Sequence, residues 1–233
     1  MNHSSRFEHV IRRVAVFKTA SDEDVRAIAG LGIERAVEEG GFFFLQGDEA
    51  GYLYIMLNGR AKLCQIGPDG QQVNLRTLIP GQLFGAIGAV QPGAVYPACA
   101  QALEDSVAIA IESAAFGSLL ETRPHLSFGM MKLMTGYIQE MQERYRELAT
   151  ERVEQRIAHV LLRLAGQSGK RVEEGVLIEL NFSRQELAEM SGTTLYTVSR
   201  TLSAWEKQGI ISTGRERVVI ANPHGLVRLA DGL

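Results

Sequence analysis

The chain has 233 residues, 45% of them hydrophobic and 22% charged, with a formal net charge of -3. That balance excludes a disordered or collagen-like polymer and a chain that coats polyanions along its whole length, and it leaves room for two modest domains with real cores. No apolar run approaches the roughly 18 residues that span a bilayer, and the start MNHSSRFEHV lacks the apolar centre of a signal peptide, so a cytoplasmic location with no membrane partner is expected.

Residues 8 to 37 read as helical, with Val10, Ile11, Val14, Val25, Ile28, Ala29 and Leu31 as the apolar positions. Short apolar runs between glycines follow: Phe42 to Leu45, Tyr52 to Leu57, Ala61 to Ile66, Val73 to Leu78, Leu83 to Phe84 and Val107 to Ile111. With turns at Asn58-Gly59 and Asp69-Gly70, they predict an antiparallel roll or barrel on which the first helices pack. Cys64 and Cys99 read as reduced thiols in or near strands, too few for an iron-sulfur cluster, which usually takes four cysteine ligands.

From Leu126 to Leu148 the pattern becomes one long helix, with Met134, Tyr137, Met141 and Leu148 at steps of three, four and seven. Such a stripe is the seam of a two-helix coiled coil, interrupted here by Arg144; the other reading is a helix packed on its own subunit. After a bend near Thr150, Val153, Ile157, Val160, Leu161 and Leu164 mark an amphipathic helix. Gln167 to Gly175 reads as a polar loop before a strand from Val176 to Leu180.

Ser183 to Ile211 reads as two helices joined by a tight turn. Ser183 and Glu186 have capping-box spacing, and Ser191-Gly192 closes the first helix where glycine can turn left-handed. The second helix runs from about Thr194 to Gln208, with Leu195, Val198, Leu202 and Trp205 expected on its buried side and Tyr196, Ser199 and Arg200 facing outward. Ile210 to Thr213 and Arg217 to Ala221, flanking Gly214-Arg215-Glu216, make a wing. This is the pattern of a winged helix-turn-helix, and it points to double-stranded DNA. From Thr150 onward there are eleven basic and ten acidic side chains, against thirteen and seventeen before it, a weak bias toward phosphate in the C-terminal part. There is no G-x-S-x-G, P-loop or HExxH motif, so the reading is a non-enzyme without a catalytic site or metal ligand set; a nucleotide-binding or protein-interaction module is the rival class.

Gly47-Asp48, Gly59, Gly70, Pro80-Gly81 and Phe84-Gly85, followed by Arg184-Gln185-Glu186-Leu187-Ala188 and Thr197-Val198-Ser199-Arg200, form an ordered set. It resembles the Crp/Fnr transcription regulators over essentially the whole chain. The resemblance implies an α+β architecture: an N-terminal antiparallel β-roll of cupin-like, double-stranded form (residues 1–125), a dimerisation helix (126–149) and a C-terminal winged helix-turn-helix (150–233). It also implies a homodimer on a pseudo-palindromic operator, with RNA polymerase as a candidate partner.

Tyr196, Ser199 and Arg200 stand where the family carries Glu, Ser or Gly, and Arg. Arg200 is thereby the candidate reader of guanine, while Tyr196 departs from the family and leaves the half-site open. Arg184 and Gln185 match the family's phosphate contacts at a helix start that itself favours anions. Thr193 and Thr194 either cap the second helix or touch phosphate, and Arg215 and Arg217 are wing contacts or solvated charges.

The family's cyclic-nucleotide sites carry a Glu after Phe-Gly and an Arg-Ser about ten residues on. Here Ala86 and Tyr96-Pro97 stand in those places, and Met141-Gln142 replace the adenine contacts, so cyclic AMP is not the expected effector. The Tyr-Pro-Ala and Leu-Tyr-Thr-Val-Ser-Arg segments are most similar to the Dnr- and NnrR-type branch, some of whose members sense nitric oxide through haem. Haem is then a candidate cofactor, with Ile87, Val90, Met130, Met134 and Met141 as an apolar pocket or as ordinary core. His3, His9, His125 and His159 are the candidate ligands, with His224 a poorer one; a dimer active without any effector is the alternative.

Overall fold

The computed structural model describes residues 3–67, 72–179, 182–214 and 217–233. It divides into two compact units, Met1–Glu140 and Met141–Leu233. The turn expected at Asp69-Gly70, Leu180 at the end of an expected strand, and Arg215 lie outside the described residues.

The first unit opens with α1 (His3–Ile11), a 3-10 turn (Ala15–Phe17) and α2 (Asp22–Gly30). Helix α2 starts on a capping box: Asp24 N–H donates to Ser21 Oγ, and the Asp24 carboxylate accepts from the Ser21 main chain. The expected helix does not continue to residue 37. Residues Gly32–Val37 form β1, which pairs antiparallel with β8 (Ser106–Glu112), Gly32 opposite Ile111 and Val37 opposite Ser106. A Cβ on Gly32 would come 2.5 Å from Ile109 Cγ2, so glycine permits this close pairing. The partner is some seventy residues away in sequence, which is why local periodicity misreads the segment.

Between them lie β2 (Phe42–Phe44), β3 (Tyr52–Asn58), β4 (Ala61–Ile66), β5 (Gln72–Leu78), β6 (Leu83–Phe84), α3 (Ile87–Val90) and β7 (Cys99–Ala102). Two antiparallel sheets result, in the orders β1-β8-β3-β6 and β2-β7-β4-β5. The near-continuous apolar run of β3 follows from burial on both faces. Leu53 and Ile55 join a core with α1, α2 and the later helices, while Tyr54 and Met56 point into the roll with Ala108 and Ala110 of β8. β7 has no signal in the sequence because Ala98 to Ala102 carries only small residues and Gln101, with no large apolar side chain; it is held by pairing with β2 and β4, where Cys99 lies opposite Cys64, both buried.

α4 (Ser113–Thr122) leads into α5 (Pro124–Thr150). The contact boundary falls inside α5, not at its ends: Leu126 and Met130 belong to the core of the first unit, whereas buried Glu147 pairs with Arg163 in the second. The exposed stripe on α5 is Met131, Met134, Ile138, Met141, Tyr145 and Leu148, in strict alternation of three and four. Tyr137, expected on this seam, is instead packed on its own roll: its hydroxyl donates to the Leu83 carbonyl at 3.3 Å and its ring carries the Arg76 guanidinium at 4.1 Å. Arg144 lies off the stripe, where Tyr145 takes the position, so the exposed apolar stripe runs on without a break.

In the second unit α6 (Val153–Ser168) follows the expected break. Residues 169–172, read as loop, form β9 (Gly169–Val172), which pairs with β10 (Gly175–Ile178); a hairpin turns at Glu173-Glu174, and polar edge residues conceal it in sequence. α7 (Arg184–Ser191), α8 (Leu195–Lys207), β11 (Ile211–Gly214), β12 (Arg217–Ile220) and α9 (Pro223–Ala230) complete the unit, with sheet order β11-β12-β10-β9. α9 went unread, although Asn222 followed by Pro223 at its first position is a start signal; Asn222 Oδ1 accepts from Gly225 N–H at 2.8 Å. The core joins Ile157, Leu161, Leu187, Val198, Leu202 and Leu226. No helix among the described residues is long and apolar enough to cross a membrane.

Candidate nucleic-acid interface

The two helices of the motif are set by short-range bonds. Ser183 Oγ accepts from Glu186 N–H at 3.1 Å, and Glu186 Oε2 accepts from Ser183 N–H at 2.7 Å. α7 ends at Gly192 with φ 62° and ψ 46°, a left-handed conformation that costs other residues strain. Arg156 of α6 then binds the turn, donating to the carbonyls of Ser191, Gly192 and Glu151 at 3.0, 3.2 and 3.0 Å. Thr194 caps α8: its Oγ1 accepts from Thr197 N–H at 3.2 Å. Thr193 is half-buried at the turn, its N–H on the Ala188 carbonyl.

Val198, Thr201, Leu202 and Trp205 bury one side of α8. Leu195, expected there, is 47% exposed, because the first turn of α8 runs beyond the core. At about 100° per residue, Tyr196, Ser199, Arg200, Ser203 and Lys207 share the opposite face. Tyr196 is 75% exposed, Arg200, Ser203 and Lys207 are exposed and Ser199 is half-buried. Ser203 and Lys207 were missed, yet the steps of four, three and four from Tyr196 through Arg200 extend to both. The aromatic ring, hydroxyls and two cations suit a groove floor edged by phosphates.

Glu206, at the edge of this face, ties α8 to the wing: its Oε1 accepts from Thr213 N–H at 2.8 Å and Oγ1 at 3.0 Å. The main-chain and then the hydroxyl bond from Thr213 hold its carboxyl below the usual range, with the charge of Arg184 adding to the effect. Arg184 and Gln185 are exposed in the first turn of α7, where free N–H groups gather, and Gln185 Nε2 reaches Glu189 Oε1 at 3.3 Å. Arg217 is exposed at the start of β12.

The residues expected at an effector site are dispersed in character. Tyr96 is buried: its ring stacks on Phe44 with centroids 3.8 Å apart, and its hydroxyl donates to the carbonyl of Tyr52 and accepts from its N–H. Burial pushes its phenol up, as it does that of Tyr54 beside it. Phe43, Phe44, Tyr54, Phe84 and Tyr96 thus fill the interior of the roll. Ala86, half-buried, offers no carboxylate for a ribose.

Ala86 and Ile87 are half-buried against the cores, and Pro97 is exposed with its carbonyl accepting from Gln65. Val90, Met134, Met141 and Gln142 are exposed, while Met130 is core. Of the histidines, His125 Nε2 lies 2.8 Å from the Asp24 carboxylate and His159 Nε2 3.4 Å from that of Glu151; His9 and His224 are exposed.

Residues 155–229 match the Crp-like helix-turn-helix domain and residues 34–123 the cyclic nucleotide-binding domain. The chain is 27% identical to the nitrogen fixation regulation protein FixK of Azorhizobium caulinodans over 98% of its own length and 90% of that protein's. It is 29% identical to the transcriptional activator protein anr of Pseudomonas aeruginosa over 85% and 80%. The structure of FixK2 from Bradyrhizobium japonicum superposes with a TM-score of 0.76 at 21% identity, covering 85% of this chain and 96% of that one, a likeness of fold. Roll, long helix and winged helix-turn-helix, in this order and with both domain matches, place the chain in the Crp/Fnr family of transcription regulators.

Proposed function

We propose that this chain binds a pseudo-palindromic operator as a homodimer, reads each half-site with α8, and answers an effector other than cyclic AMP. The observation that carries the reading is the exposed face of α8, on which Tyr196, Arg200, Ser203 and Lys207 stand opposite the buried Val198, Leu202 and Trp205. Arg200 donates its two-pronged guanidinium to the O6 and N7 of a guanine, Ser199 meets a base edge, and Tyr196 presents its ring to a thymine methyl or its hydroxyl to a phosphate. Arg184, Gln185 and Arg217 contact phosphates and set the register without reading sequence. The stripe from Met131 to Leu148 pairs with its copy, so two α8 helices meet successive major grooves about 34 Å apart.

Selection from a randomised duplex pool tests this. An inverted repeat is expected, and Arg200→Ala should relax one symmetric position by about 1–3 kcal/mol. Unchanged selection in that variant removes the base-reading role; no enrichment by the wild-type chain, with or without added effectors, removes the DNA reading.

A further inference from the structure

We propose that a groove along α5 in the first unit binds a medium-chain acyl carboxylate. The groove encloses about 570 Å3, within the range of about 300–1,000 Å3 usual for small-molecule sites. One wall is α5 from Phe128 to Glu140, another is Ala15 to Thr19, and Arg76 of β5 closes the side. From Tyr137, on which Arg76 rests, to Phe128 is nine residues of α5, about 14 Å at roughly 1.5 Å each, room for an extended acyl chain of about ten carbons. Val16, Phe128 and Leu133 supply an apolar lining, and Gly136 keeps the channel open, since nothing lies within 4 Å of where its Cβ would stand.

The charge of the lining selects the head group. Three cations, Lys18, Arg76 and Lys132, face one carboxylate, Glu140. The Arg76 guanidinium is held in place over the Tyr137 ring, 4.1 Å from its centroid. Arg76 lines the groove beside Lys18 and Lys132, and a carboxylate is the acceptor that a planar guanidinium fork fits best. The head group therefore sits on Arg76 and the acyl chain runs along α5 toward Phe128. Because α5 also carries the exposed stripe, an acid in this groove touches the helix through which the chain is read as dimerising. The site is separate from the filled interior of the roll. It deepens the reading of a regulator that answers an effector other than cyclic AMP, and rests on that reading only for its consequence.

The test is calorimetric titration of the full chain with decanoate, and with decanol as its uncharged counterpart. Saturable binding of decanoate at one site per chain is expected, with decanol about tenfold or more weaker and a comparable loss in Arg76→Leu. Gly136→Leu puts a side chain into the channel from a position where a Cβ has nothing within 4 Å, and it should abolish binding while leaving the melting temperature unlowered. Equal affinity for decanol, undiminished binding by Gly136→Leu, or no saturable binding of decanoate overturns the proposal. If Arg76→Leu does not fold, the decanol comparison and Gly136→Leu still decide. The titration contains no DNA, so its failure leaves operator selection untouched, and a failure of operator selection leaves the titration standing.

Discussion

Arg156 Nε donates to the main-chain oxygen of Ser191 across 3.0 Å, and the same guanidinium takes the carbonyls of Gly192 and Glu151. One side chain of α6 thus satisfies the C-terminal end of α7, where carbonyls lack helical partners. Arg156→Ala should destabilise the second unit by about 2 kcal/mol, and Arg156→Lys should restore little, because an ammonium cannot span three carbonyls as a planar fork does. The single tryptophan, Trp205, is buried in this unit, so its fluorescence during urea unfolding measures the loss.

The register of the α5 stripe gives a paired prediction. Ile138 is 55% exposed in the middle of the alternation, whereas Tyr137, one residue earlier, is bonded to the roll. Ile138→Glu should therefore turn the dimer into monomer in sedimentation equilibrium and weaken operator binding. Tyr137→Phe should leave the dimer intact and cost about 1 kcal/mol of stability in the first unit.

Asp24 predicts an acid limb of stability for the first unit. Its burial would raise its carboxyl, but Arg123, His125 and Ser21, which all bond to it, hold the group well below the usual carboxylate range. A depressed carboxyl contributes stability that is fully present above its unfolded value of about 3.9, and this contribution drains away as pH falls further toward the folded value. Urea midpoints followed by circular dichroism should drop below about pH 4 in the wild type. Asp24→Asn should start from a lower midpoint at neutral pH and fall less steeply in acid.

Lys207 and Arg200 share the outward face of α8 but should behave differently. An ammonium acts as a point charge toward phosphate, so Lys207→Ala should weaken all sequences alike and lower the salt slope of binding by about one ion. Arg200→Ala should change preference at one position while the other positions keep theirs. Anisotropy titrations of specific and scrambled duplexes at several salt concentrations distinguish the two.

Where a signal is local, the residues alone determined the outcome. The Ser183–Glu186 box, the left-handed Gly192, the Thr194 cap and the 3.6-residue periodicity of α8 each lie within one or two turns of chain, and the helix-turn-helix formed where they point. Most roll strands were likewise legible from apolar runs between turn residues. Tertiary structure decided what depends on a distant partner. Gly32–Val37 became a strand because β8 needed an edge, and β9 because β10 did. Tyr137 turned from the seam because Arg76 and Leu83 held it. Leu195 emerged because the core stops short of it, and Tyr96 closed the roll by stacking on Phe44. In each case the choice between two faces of an element costs little locally, and burial against residues far away in sequence settles it.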